Sequence, residues 1–376
     1  MKKVLLLLIG ICCFISCEQQ NNHFNINGTL IGQSDKNIMY LAMMLKENSK
    51  DGSQYTIVDS AKVENGTFHF EGTAEIPQLV YIGLTSGQFQ PFYIENSDIT
   101  YKAHVDSLDN AVITGSKTED EFRRYNKGLE IYSDQRTLLV AEWEKAEKEN
   151  DQGKLKILEQ QFKDLSVKKS GYRDNYIASH KSSIVALYLA DYWFLRFTKA
   201  EQIDSLLNTF DKSLQISPLY LRAVKWSKNL SSVSVGKQFL NFTANDIEGN
   251  PVVVSTLAKN KILLIDFWQA VCLPCRHEHP LLRQIYNEYH SKGFEILSVS
   301  LDKKRETWLE AVKKDGMNWN NVNDLIGWGS PIRTLYAASS TPQNYLIDRT
   351  GKIIARNIYG EDLRKFVEQL FSRELI

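Results

Sequence analysis

Asp266-Phe267-Trp268-Gln269-Ala270-Val271-Cys272-Leu273-Pro274-Cys275-Arg276 closes a continuous apolar run, residues 261–267, and opens a helical pattern reaching to about residue 292. The apolar run suits a buried strand. The cysteine pair therefore sits where a strand hands over to a helix. A thiol at a helix N-terminus faces unpaired backbone N–H groups and the positive end of the helix dipole, which favour thiolate over thiol. Cys272 is thus the predicted nucleophile. Cys275, one turn deeper, is placed to attack a mixed disulfide at Cys272 and release the reduced partner.

Outward from this stretch, residues 294–300 read as a second buried strand and 305–314 as a helix. Residues 344–348 and 352–357 read as two strands joined by Arg349-Thr350-Gly351, and 361–371 as a closing helix. Upstream, 242–245 and 251–254 form a hairpin. Strand, helix, strand in that order implies a right-handed parallel crossover, and the final hairpin makes the sheet mixed.

The motif, its flanking strand and helix and a distant Thr341-Pro342 together resemble the thioredoxin fold. The likeness is closest to the membrane-tethered thiol-disulfide oxidoreductases of the TlpA/ResA type, and covers residues 235–376. It implies an α/β domain with a mixed sheet flanked by helices, and no bound cofactor. Asp266 matches the family's buried carboxylate, which would exchange a proton with Cys275. Pro342 matches a cis-proline whose loop pairs with an extended client segment. Trp268 matches the aromatic beside the redox pair, Pro280 the proline that kinks the active-site helix, and Glu278 the acidic residue of a C-R-x-E-x-P pattern. Trp268, Thr341, Leu273 and Pro274 complete the residues implied to meet a client. Val271 stands where the family usually has Trp, which removes an aromatic surface beside the nucleophile. The implied partners are client proteins with disulfides and a membrane electron donor of the thiol-shuttle type.

The first residues carry a separate inference. Lys2 and Lys3 precede an apolar stretch, residues 4–15, too short to span a bilayer, and Ser16 precedes Cys17. This resembles a lipoprotein signal, with cleavage before Cys17, lipid on its thiol and a polar tether at 17–23; Phe14 and Ile15 depart from the usual box. The expected location is the periplasmic side of a bacterial membrane, lipid-anchored. The alternative is an ordinary signal peptide cut elsewhere, or a short membrane anchor. Of the five cysteines (Cys12, Cys13, Cys17, Cys272, Cys275), acylation and cleavage would leave two free thiols. A lone C-x-x-C closes too small a loop to stabilise a fold much, so the pair is there for chemistry or metal.

Residues 24–115 read as short strands (24–30, 55–63, 67–70, 79–84, 99–105) with Asn65-Gly66 as a hairpin turn. Asn27-Gly28, Val58-Asp59-Ser60-Ala61, Asn65-Gly66-Thr67-Phe68 and Ile94-Glu95-Asn96 resemble a β-rich N-terminal domain that precedes thioredoxin-like domains in Bacteroidetes-type lipoproteins. Residues 116–234 read as helical. Thr118-Glu119-Asp120-Glu121 has the form of a capping box, 150–153 breaks a helical hairpin, and further helices are expected over 183–198 and 199–214. The aromatics Tyr188, Tyr192, Trp193, Phe194 and Phe197 read as core rather than a client groove.

Composition narrows the remaining classes. The chain has 376 residues, 45 basic and 45 acidic side chains and 43% apolar residues, which excludes intrinsic disorder and a polytopic membrane protein. Without net positive charge it is not expected to bind nucleic acid. His277 and His279, two apart on a helix, point in different directions and cannot both join the cysteines on a metal, so none is expected. Arg276 stands where haem attachment needs His. Gly327-Trp328-Gly329 is too short for a phosphate loop. Two rivals remain: a thiol peroxidase of the peroxiredoxin type, and a non-catalytic binding or scaffold lipoprotein with a vestigial redox pair.

Overall fold

Alternation of apolar and polar side chains along Phe24-Asn25-Ile26-Asn27 sends Phe24 and Ile26 inward and makes β1 (Phe24–Ile31), the first strand of the computed structural model. The structure describes residues 22–32, 37–44, 55–84, 89–194, 196 and 199–373. The expected signal segment, tether and lipidated Cys17 lie outside the described residues, apart from 22 and 23.

After β1 come β2 (Ile38–Met44), β3 (Tyr55–Lys62), β4 (Thr67–Gly72), β5 (Gln78–Leu84), β6 (Phe89–Ile94), β7 (Asp98–His104) and β8 (Ser107–Thr114). They form two four-stranded sheets, β4-β1-β7-β8 and β3-β2-β5-β6. Ile26, Phe70 and Tyr101 of the first share one core with Val80, Ile82 and Phe92 of the second. The Asn65-Gly66 turn forms, with both residues at positive φ, and is closed by a Glu64–Thr67 bridge. Its strands then part into different sheets instead of making a hairpin.

Five helices follow: α1 (Lys117–Lys148), α2 (Gln152–Ser179), α3 (Ile184–Phe194), α4 (Ala200–Leu207) and α5 (Pro218–Ser232). The cap of α1 is Ser116, whose Oγ accepts from Glu119 N at 3.1 Å, and not Thr118, whose hydroxyl donates to Glu95 at 2.8 Å. The helix expected over 199–214 is interrupted after Leu207. Thr209 and Asp211 turn their side chains onto nearby backbone, and Asp211 caps a separate 3-10 turn at Lys212–Ile216. Phe194 is buried, as expected of core, while Tyr188 and Trp193 are half-buried. Phe197 and the Tyr192 side chain are outside the described residues.

The remainder is β9 (Thr243–Asp246), β10 (Pro251–Val253), α6 (Val254–Leu257), β11 (Ile262–Trp268), α7 (Leu273–Tyr289), β12 (Phe294–Ser300), α8 (Arg305–Asp315), β13 (Asn320–Asn323), α9 (Pro331–Leu335), β14 (Gln343–Ile347), β15 (Ile353–Arg356) and α10 (Gly360–Arg373). The sheet order is β10-β9-β13-β12-β11-β14-β15. β11, β12 and β13 run parallel, and β14 lies antiparallel to β11. This is a thioredoxin-like mixed sheet. One core packs α7, α8 and α10 against it, and another lies on the opposite face under Phe242, Val254 and Tyr336.

Two compact units emerge from the packing. Among the described residues, the first takes in those up to Leu41 and those within 58–122; the second takes in 42–44, 55–57 and those from Arg123 onward. Within the second, α5 meets α9: Asn229 Nδ2 donates to Thr334 O at 2.9 Å and Arg333 lies 5.0 Å from the Trp226 ring.

Candidate active site

Every residue of β11 is buried, so the strand delivers the chain to the edge of the core with no freedom in its last side chains. The loop 269–271 then turns outward and Cys272 caps α7. Its Sγ accepts from Cys275 N at 3.2 Å, and the two cysteines are joined as a disulfide. Cys272 is half-buried and Cys275 is buried. The outer thiol is the one a partner can reach, and the inner one can reach only its neighbour. Pro274 occupies the first turn, where its missing N–H costs nothing, whereas Pro280 inside α7 denies a hydrogen bond to the carbonyl of Arg276.

Asp266 is buried two residues from the end of β11, and burial, reinforced by the negative charge of Glu278, pushes its carboxyl up to about 7. Such a group changes protonation near neutral pH. Its cross-strand partner is Asn344, and Phe267 pairs with Gln343. That register brings Pro342, one residue earlier, beside the end of β11 from which the cysteine loop departs. The Thr341–Pro342 bond is cis.

Two residues to which the sequence reading assigned no role complete the group. Glu278 accepts from Gly360 N at 2.8 Å through Oε2, tying α7 to the start of α10. Tyr359 donates from its hydroxyl to Pro342 O at 2.9 Å, and burial, with the negative charge of Asp266 next in importance, drives its phenol well above the ordinary range. Tyr359 thus ties the start of α10 to the cis-proline loop. Glu278 was visible in the C-R-x-E-x-P pattern, but no local pattern marks Tyr359, which reaches the site only through the packing of α10.

One implied role is corrected. Trp268 is 0% exposed and its ring meets the His279 ring edge-on at 4.9 Å, so it offers a client no surface. Val271 and Leu273, at 75% and 69% exposure, are the side chains that flank Cys272 outwardly; Pro274 is also exposed, and Thr341 is half-buried. His277 is exposed, whereas His279 is buried with Nδ1 2.7 Å from Asp315 Oδ2. Among the described residues no group of three or more His, Cys, Asp or Glu is arranged to hold a metal ion. Gly327–Gly329 is a single 3-10 turn.

Residues 235–356 match the AhpC/TSA family model, and residues 24–122 match a domain of unknown function, DUF4369. The thiol-disulfide oxidoreductase ResA of Bacillus cereus is 29% identical over 136 residues, covering 36% of this chain and 76% of that protein. ResA of Bacillus subtilis is 29% identical over 123 residues, 33% of this chain and 66% of its own. Among solved structures, a thiol-disulfide oxidoreductase from Bacteroides fragilis is 35% identical, covering 36% of this chain and 99% of its own, with a TM-score of 0.34. The thioredoxin domain of another, from Bacteroides vulgatus, is 34% identical over 37% of this chain and 99% of its own, also with a TM-score of 0.34.

Proposed function

Because the chain belongs, through its C-terminal domain, to the thiol-disulfide oxidoreductases, we propose that it is an exported, lipid-tethered reductant of client disulfides on the periplasmic side of a bacterial membrane. The observation that carries the chemistry is Cys272 at the N-cap of α7, half-exposed, with its Sγ against Cys275 N–H and bonded to the buried Cys275.

In the reduced protein the Cys272 thiolate attacks one sulfur of a client disulfide, forming a mixed disulfide and releasing the other client sulfur as thiolate. Cys275 passes its proton to Asp266 and attacks Cys272 Sγ, which closes the Cys272–Cys275 bond and frees the second client sulfur. Two electrons pass from the pair to the client; the Cys275 proton rests on Asp266, and the two client thiolates take their protons from solvent. Pro342 lies where its loop would align an extended client segment. Val271 and Leu273 would supply apolar contact. Re-reduction falls to a membrane donor of the thiol-shuttle class.

Cys275→Ser removes the resolving thiol, so covalent client adducts should accumulate at Cys272 and dissolve in dithiothreitol. A strain carrying that variant with no such adduct would contradict the two-cysteine mechanism. The tether has its own readout: mass spectrometry of the mature N-terminus should find acylated Cys17, and an unmodified terminus elsewhere would exclude it. The AhpC/TSA match keeps a thiol peroxidase as the second reading. It requires hydrogen peroxide to oxidise Cys272 faster than client disulfides do.

A further inference from the structure

The backbone of Ala270, two residues before Cys272, is gripped on both sides. Its N–H donates to the two carboxylate oxygens of Asp302, at 2.9 and 3.2 Å, just past the end of β12. Its C=O accepts from Arg276 Nη1 at 3.3 Å.

Each gripping side chain is itself fixed. Ser300 Oγ donates to Asp302 Oδ2 at 2.8 Å, and Asn323 Nδ2 donates to Ser300 Oγ at 2.9 Å and to Asp302 O at 3.1 Å. Arg276 forks onto Asp315 at the end of α8, Nε to Oδ2 at 2.6 Å and Nη2 to Oδ1. Asp315 Oδ2 also meets the buried His279, and Arg283 Nη1 donates to Asp315 O at 3.2 Å. Burial opposes the ionised form of Asp315, but the hydrogen bonds from Arg276 and His279 outweigh it and hold its carboxyl below the usual range. Burial likewise holds His279 below the ordinary imidazole range. An ionised Asp315 carboxylate only accepts, so His279 Nδ1 is the donor of their contact. A planar guanidinium can fork onto one carboxylate and still reach a carbonyl, which an ammonium cannot do.

We infer that Asp302 and the Arg276–Asp315 pair are positioning residues of the redox site, clamping the backbone of Ala270 so that Cys272 Sγ stays against Cys275 N–H at the start of α7. The inference rests on the oxidoreductase reading and deepens it. The loop is short: Cys272 N already donates to Gln269 O at 3.0 Å, so rotating the backbone at Ala270 moves the whole turn. Sγ then leaves its cap and the thiolate loses the donor that favours it.

The test is the pH profile of Cys272 alkylation by iodoacetamide in the reduced full chain, for wild type, Arg276→Lys and Asp302→Ala, with thermal melting of each. The titratable groups about the site are Asp266 on β11, Arg276, His277, Glu278 and His279 on α7, Asp302 after β12, Asp315 at the end of α8 and Tyr359 before α10; each variant alters one of them. Arg276→Lys keeps the charge, so electrostatics alone leaves the midpoint in place. Loss of the clamp raises it by about one unit, a tenfold loss of thiolate below the midpoint and about 30 mV in the couple. Asp302→Ala removes a negative charge, which alone would lower the midpoint, whereas loss of the clamp raises it. The expected result is a rise in both, or in whichever variant retains a cooperative melt. An unmoved midpoint in a folded Arg276→Lys, or a fall in Asp302→Ala, overturns the clamp. A reduced wild-type chain that fails to reduce a model protein disulfide would instead overturn the oxidoreductase reading beneath it.

Discussion

Asp266 is the residue where fold and chemistry conflict most openly. With its carboxyl raised to about 7, chiefly by burial, against an unfolded value of about 3.9, the folded chain holds a proton that the unfolded chain has released between those limits. Stability associated with this group is therefore full below about pH 4, falls as pH rises, and levels off above about pH 7. The loss is roughly 4 kcal/mol at most, by the conversion of about 1.4 kcal/mol per unit. Asp266→Asn removes the penalty, so its stability advantage over wild type should widen from pH 4 to pH 7 and then stay constant in denaturant titrations of the oxidised forms. An advantage independent of pH would contradict the assignment. The same variant should slow resolution by Cys275, visible as longer-lived mixed disulfides. Cys272 and Cys275 stood out through the motif and its strand, whereas Asp266 and Pro342 were named through the family resemblance. Tyr359 was not named, because a residue that reaches a site from just ahead of the last helix leaves no local pattern. The client role implied for Trp268 failed on packing, since position along a motif does not say which way a side chain faces.

At the scale of elements, the strand read over residues 294–300 forms with those bounds, and all seven residues are buried although Glu295, Ser298 and Ser300 interrupt its apolar side chains. β13 was not named. Its Asn-Asn-Val-Asn sequence has poor strand propensity, and it is held instead by side-chain amides, Asn321 Nδ2 to Trp319 O at 2.9 Å and Asn323 to Ser300. β2, β6 and β8 lie inside the stretch read as strands without being named singly, β6 carrying Pro91 within its run. α5 was not named either, although Ser217-Pro218, a cap followed by proline at the first helical position, is the local signal that could have found it. The pairing of β1 with β4 depends on a bare backbone at Gly28, where a Cβ would lie 2.0 Å from the Phe68 ring. Gly28→Ala should thus destabilise the first unit by about 1–3 kcal/mol, the usual cost of overpacking. A melting curve unchanged from wild type would show that Phe68 has room to move.

For the whole molecule, redox chemistry and architecture divide cleanly along the chain. Loss of the first sixteen residues with Lys2 and Lys3 would leave 43 basic against 45 acidic side chains, a formal charge of -2, and Cys272 and Cys275 as the sole free thiols once Cys17 is acylated. About two thirds of the chain lies outside the C-terminal domain, and the scaffold reading draws on that share. It expects a Cys272→Ser, Cys275→Ser double variant to retain full function in cells, whereas the reductant reading expects the phenotype of a null. The most direct test is the reduction potential of the Cys272–Cys275 couple, by glutathione-buffer equilibration of the chain from Asn22 onward with thiol labelling. The account predicts a reducing value near that of thioredoxin, about -270 mV. A value near about -120 mV would make the protein an oxidant and contradict it, as would failure of the pair to form a disulfide at all.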